Sequence, residues 1–102
     1  LVPLGYADGL PRLASDRAEV LVRGTRRPVV GRISMDQLVV DLGRRGADAG
    51  EPVTVFGPGT SGEPTVAEWA GWAGTIEHEI VTGLGARVAR RAVAVPHLRS
   101  LA

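Results

Sequence analysis

Three short segments hold the residues that could do chemistry. Gly5-Tyr6-Ala7-Asp8-Gly9, with Arg12 close behind, combines a phenol, a carboxylate and a guanidinium. Gly31-Arg32-Ile33-Ser34-Met35-Asp36-Gln37 combines a guanidinium, a hydroxyl, a carboxylate and an amide. Gly74-Thr75-Ile76-Glu77-His78-Glu79 sets an imidazole between two carboxylates. Each segment is denser in polar and special residues than a strand needs. Each residue also has a plain structural reading. Tyr6 reads equally as a strand-end ring with its hydroxyl in water, Asp36 as a turn residue satisfying backbone donors, and His78 as a residue on a helix surface.

Several chemistries are excluded. Ser15, Ser34, Ser61 and Ser100 lack the Gly-x-Ser-x-Gly setting of an activated serine. His78 and His97 lie on unlike segments, which argues against a histidine-based metal site, and no metal is expected. Gly57-Pro58-Gly59 with Gly62 lacks the lysine and helix of a phosphate loop. All 12 basic residues are arginine, so these residues cannot supply a Schiff-base lysine or an amine nucleophile. The chain has no cysteine, which removes disulfides and thiolate sites and fits a cytoplasmic protein. Net charge is +1, so no strong field attracts polyanions. Tyr6, Phe56, Trp69 and Trp72 form no stacking platform, and no nucleic-acid partner is expected. Apolar runs such as Leu38–Val40 are too short for a membrane span. The arginine pairs at 26–27, 44–45 and 90–91 read as solvated turns and edges.

The elements that must position these segments are short. The chain has 102 residues with 14 Gly and 7 Pro, and its valine-rich runs between them suit strands and turns. Strands are expected at Leu1–Leu4, at Glu19–Val22 with a hairpin return at Arg27–Gly31, at Ile33–Leu42, at Pro52–Phe56 and at Arg87–Val95. Along Ile33–Leu42, Leu38, Val40 and Leu42 share one face, and Met35, Gln37, Val39 and Asp41 the other. Gly57–Pro64 reads as a mobile loop. Thr65 stands three residues before Glu68, the spacing of a capping box, and Val66, Trp69, Ala70 and Ala73 recur at helical spacing. A second helical run, Ile76 to Val81, is stopped by Gly83 and Gly85. The expected fold is mostly β: a small closed antiparallel, Greek-key-like β-barrel with one or two short helices near 65–82.

Gly-Tyr-Ala-Asp-Gly-x-x-Arg at 5–12, Val-Gly-Arg-Ile-Ser-Met-Asp-Gln at 30–37 and Thr-Ile-x-x-Glu-Ile-Val-Thr at 75–82 resemble, in order and spacing, three motifs of bacterial alanine racemases. Arg87-Val88-x-Arg90 resembles that family's terminal strand. The resemblance implies that residues 1–102 are the C-terminal β-domain, with the start of that domain and the whole cofactor-binding α/β barrel upstream of Leu1. It implies a pyridoxal 5'-phosphate-dependent isomerase that interconverts L-alanine and D-alanine for peptidoglycan precursors. It also implies a homodimer in which each β-domain covers the barrel of the second subunit.

The resemblance assigns roles residue by residue. No catalytic residue falls in this chain: the cofactor lysine and the tyrosine base are both expected upstream, so the fragment alone is expected to be inactive. Met35 matches the position whose backbone amide contacts the substrate carboxylate. Tyr6, Arg12 and Arg32 match residues lining the entry, and Asp36 follows Met35 and is expected to hold that loop. His78 stands where the family has a tyrosine that bonds the cofactor phosphate, and an imidazole N–H can also donate there. Ala89 replaces a proline usual between the two arginines. Two other readings remain open: a non-catalytic β-barrel interaction module, and a racemase relative acting on another amino acid such as serine.

Overall fold

The structure is a computed structural model that describes residues 1–44, 46 and 50–89. Its sheet has four antiparallel strands: β1 (Glu19–Val22), β2 (Thr25–Val30), β3 (Val39–Val40) and β4 (Val53–Thr54), in the order β3-β2-β1-β4. β1 shows the two-residue period of a half-buried strand. Val20 and Val22 are buried while Glu19 and Leu21 are half-buried. The β1–β2 hairpin turns through Arg23 and Gly24 alone, since Val22 pairs with Thr25. Both turn residues have positive φ, 52° and 74°. That is the type I′ geometry whose twist suits a two-residue hairpin, and Gly24 fills it without strain.

Three expected strands are shorter than the sequence suggests, and of Pro52–Phe56 only Val53–Thr54 is strand. Leu1–Leu4 contributes one bridge, Val2 to Leu38, and Ile33–Leu42 contributes only β3 and that bridge. The cause is local. Ser34 N–H bonds the Gln37 carbonyl at 3.0 Å, closing a turn where the strand was expected to run. The expected burial alternation still holds beyond the turn, with Leu38 buried and Gln37 and Val39 exposed. The closed barrel is not seen among the described residues, because the sheet edges β3 and β4 do not pair. The strand expected at Arg87–Val95 falls largely outside the described residues, and Arg87–Ala89 is not in a strand.

The helices fall where expected. α1 (Val66–Ala73) is capped by Thr65, whose hydroxyl accepts from the Glu68 amide at 3.2 Å while Glu68 accepts from the Thr65 amide at 3.2 Å. α2 (Glu77–Thr82) starts after Ile76. α1 buries Trp69, Ala70 and Ala73 against a core that includes Val20, Val22, Val29, Ile33 and Leu38. Trp69 is fully buried, and its indole N–H donates to the Val55 carbonyl at 2.7 Å, so its one polar atom is satisfied. Trp72 packs edge-on against it, with ring centroids 5.6 Å apart.

The Gly57–Pro64 loop is tethered rather than free-standing. Gly57 N–H bonds the Pro64 carbonyl at 2.8 Å. The buried Glu63 carboxylate accepts from the Gly59 and Ser61 amides. Arg26 is half-buried, not the solvated turn residue expected. It clasps the Glu68 carboxylate through two nitrogens at 2.5 and 2.7 Å and bonds the Gly62 carbonyl at 2.9 Å. This staple ties β2, the loop and the start of α1 together.

Candidate functional site

Two of the three candidate segments meet edge to edge. Tyr6–Asp8 forms a single 3-10 turn, and the Tyr6 and Ala7 amides donate to the Ser34 and Met35 carbonyls, each at 2.9 Å. Gly5 makes this approach possible. A Cβ at Gly5 would lie 2.2 Å from the Ser34 oxygen and 2.5 Å from the Met35 carbonyl carbon. Its φ of −151° is ordinary extended backbone, so the requirement for glycine here is purely one of space.

Asp8 locks the turn from below. It is buried at 2% exposure. Its carboxylate accepts from the Gly5 amide at 3.0 Å and from Arg87 through Nε at 2.7 Å and Nη2 at 2.6 Å. The Arg87 hydrogen bonds, helped by the Gly5 amide, hold the Asp8 carboxyl below its ordinary value despite burial, and Asp8 in turn raises Arg87. Arg87 Nη2 also donates to the Pro3 carbonyl at 2.9 Å and the Asp36 carbonyl at 3.4 Å. The backbone carbonyl of Asp36 thus joins the Asp8–Arg87 clamp. Among the described residues the Asp36 carboxylate receives no hydrogen bond; Asp36 is exposed, and its charge acts on Arg87 through space.

The entry residues cluster too. Arg12 sits over the Tyr6 ring, 5.9 Å from its centroid, a cation–π distance. Arg12 and Arg32 line one shallow cleft of about 430 Å³ with Leu13 and Ser15. Ser15 ties its walls together: its hydroxyl donates to the Arg12 carbonyl at 2.6 Å and accepts from the Ile33 amide at 2.9 Å. Met35 is 56% exposed and Tyr6 45% exposed. Among the described residues the Met35 amide N–H has no acceptor, while its carbonyl is taken by Ala7. This leaves a backbone donor open on the turn that pairs with Tyr6, and a free N–H is suited to a carboxylate.

His78 stands apart from this group. It is exposed on α2, and its carbonyl accepts from the Thr82 hydroxyl at 2.8 Å. The chain just after α2 does reach the first segment. Gly85 N–H bonds the Asp8 carbonyl at 3.0 Å, and a Cβ on Gly9 would lie 2.3 Å from the Gly83 oxygen. Thus the Tyr6 and Met35 turns meet through backbone hydrogen bonds, Arg12 packs over Tyr6, and Arg12 and Arg32 share a cleft. Asp8 and Arg87, which hold the two turns, carried no local sign of that role.

The model of the alanine racemase C-terminal domain matches residues 1–92. The chain belongs to that family. An alanine racemase of Streptomyces coelicolor is 59% identical over 90 residues, 88% of this chain and 23% of that protein. The crystal structure of alanine racemase from a D-cycloserine-producing Streptomyces lavendulae superposes with a TM-score of 0.85 at 50% identity, over 95% of this chain and 26% of that one. An alanine racemase from Bartonella henselae, solved with covalently bound pyridoxal phosphate, gives 0.73 at 34% identity, over 89% and 26%. The chain therefore spans about a quarter of the length of the relatives it matches. Among the described residues no helix is long and apolar enough to cross a membrane.

Proposed function

We propose that this chain is the C-terminal lid of a cytoplasmic, pyridoxal-phosphate-dependent racemase that interconverts L-alanine and D-alanine for peptidoglycan precursors. The observation that carries the reading is the junction of the Tyr6–Asp8 and Ser34–Gln37 turns, which leaves the Met35 amide open while Arg12 packs over the Tyr6 ring and shares a cleft with Arg32. The chain has no lysine, so it does not fit covalent attachment of the cofactor. Attachment and both proton transfers belong in this reading to a barrel and a tyrosine upstream of Leu1.

The chain's own groups then act on binding and access. The Met35 amide donates to the substrate carboxylate in the site of a second subunit. Arg12 and Arg32 draw small carboxylates into the entry, and the Tyr6 ring narrows it. Asp36 adds a negative charge at the rim, against substrates without an ammonium group. His78 donates to the cofactor phosphate in place of the family's tyrosine. Exposed Tyr6, Met35, Ile76 and Val81 supply apolar area for contact with the barrels of the homodimer. In the same reading the sheet closes into a barrel in the full-length protein.

The deciding experiment is an amino-acid racemisation assay on the full-length protein that carries this chain, with alanine and serine as alternatives. Conversion of L-alanine is expected, with serine much slower. A full-length protein that racemises neither would end the racemase reading, and preference for serine would shift it to a relative of different specificity.

A further inference from the structure

Among the described residues, Arg26 and Arg87 each serve both oxygens of one carboxylate, and they differ in what else they touch. Arg26 joins Glu68 to the carbonyl of Gly62, away from the candidate site. Arg87 bonds Asp8, Pro3 and Asp36 at once. Asp8 closes the turn that begins at Tyr6, and its carboxylate also accepts from Gly5, the residue before Tyr6. The Asp36 carbonyl lies one residue beyond Met35. A single guanidinium therefore spans both turns of the site.

We propose that Arg87 is a positioning residue for the racemase site: it fixes the Tyr6 turn against the Met35 turn, so that the ring and the open amide face the substrate in one geometry. The proposal rests on the racemase reading above. The chemistry needs arginine in particular. Nε and Nη2 serve the two oxygens of a buried carboxylate in one plane, and Nη2 still reaches two carbonyls. A lysine ammonium is a point donor on a flexible stem and cannot hold that fork. An apolar pocket of about 170 Å³, lined in part by Leu4, Leu10, Val55 and Phe56, adjoins Asp8. Its low-polarity walls shield the Asp8 side of the pair, while the Arg87 side chain is 56% exposed. The two turns otherwise meet through neutral backbone hydrogen bonds, so Arg87 is the charged tie between them.

The test uses the full-length protein and compares Arg87→Lys with Arg26→Lys. Wild type is assayed first; if it racemises no amino acid, the racemase reading fails, and this proposal fails with it. Given an active wild type, Arg87→Lys is expected to raise KM for alanine on the order of tenfold or more, since sub-ångström to ångström displacement of binding groups carries losses of that size. Bound cofactor absorbance and kcat should change far less. Arg26→Lys should lower Tm with KM unchanged. An Arg87→Lys enzyme that lowers Tm but keeps the wild-type KM overturns the positioning role and leaves the racemase reading standing. Should Arg87→Lys fail to fold, Asp8→Asn is measured in its place, because it keeps the carboxylate's shape and an acceptor for Gly5. A wild-type KM there overturns the role, as does failure of both variants to fold, which would make the clamp purely structural.

Discussion

The Ala7 amide donates to the Met35 carbonyl at 2.9 Å, and through this bond the position of one turn dictates that of the other. The carbonyl is consumed while the amide of the same residue stays open. A hydrogen bond that uses only the acceptor side of Met35 leaves its donor side for a ligand.

Gly5→Ala is the sharpest test of that junction. The new methyl would meet the Ser34 oxygen at 2.2 Å and the Asp36 nitrogen at 2.6 Å. Both are backbone atoms and cannot swing aside as a side chain could, so the turns must separate. A loss of about 2–3 kcal/mol is expected, at the upper end of overpacking costs. Gly24→Ala is the contrast. Its φ is 74°, but its Cβ would meet open space, so the cost should be about 1 kcal/mol of left-handed strain. Urea denaturation of both variants measures the difference, and equal losses would refute the steric account of Gly5.

Acid should loosen the domain through Glu68. Arg26, chiefly by its side-chain hydrogen bonds, lowers the Glu68 carboxyl from 4.5 to about 2. A carboxyl depressed by folding contributes fully above its unfolded value and loses that contribution as pH falls through its folded value. The window therefore runs from about 4.5 down to about 2. The Glu68 side chain is 36% exposed, so solvent screening reduces the effect to about 1 kcal/mol. Asp8, also held below its ordinary value by Arg87, adds a loss of the same sign. Glu68→Gln should be less stable at neutral pH and should show a flatter fall in Tm between pH 5 and 2 (a range set by carboxylate titration). An unchanged slope would show that Glu68 does not carry it.

The parts of the fold that were legible in the sequence are those encoded locally. The Thr65–Glu68 capping box and the spacing of Trp69, Ala70 and Ala73 were enough to locate α1. The period of Glu19–Val22 and the turn expected at Arg23-Gly24-Thr25-Arg26 located the hairpin, although the return strand begins at Thr25 rather than at Arg27. The strands at Leu1–Leu4 and Ile33–Leu42 were overread, because apolar alternation does not reveal that the Ser34 amide closes a turn onto Gln37. The two arginine clamps were not legible at all. Arg87 and Asp8 are 79 positions apart, and Arg26 and Glu68 are 42 apart. No local pattern couples charges over such distances. The site motifs were visible as residue types, but what holds them together was not.

Met35 offers a way to separate backbone from side chain. The side chain is 56% exposed, so Met35→Ala should change stability by no more than about 0.5 kcal/mol and leave much of the activity of the full-length protein. Met35→Pro removes the N–H itself. It should abolish racemisation while cofactor absorbance persists, because the cofactor is held elsewhere. The check is steady-state turnover alongside the visible spectrum of each variant. Wild-type turnover in Met35→Pro would remove the amide from the binding role.

His78 carries the chain's main departure from the family pattern, and its role is measurable as cofactor affinity. A hydrogen bond to a charged group is worth about 1.5–3 kcal/mol, so His78→Ala in the full-length protein should weaken cofactor binding roughly tenfold or more. His78→Tyr restores a donor of the type the family uses and should recover most of that loss. Because His78 is exposed on α2, neither change should disturb Tm appreciably, which keeps the readout specific to the ligand. Equal cofactor Kd in wild type, His78→Ala and His78→Tyr would place His78 away from the phosphate and leave it as a helix-surface residue.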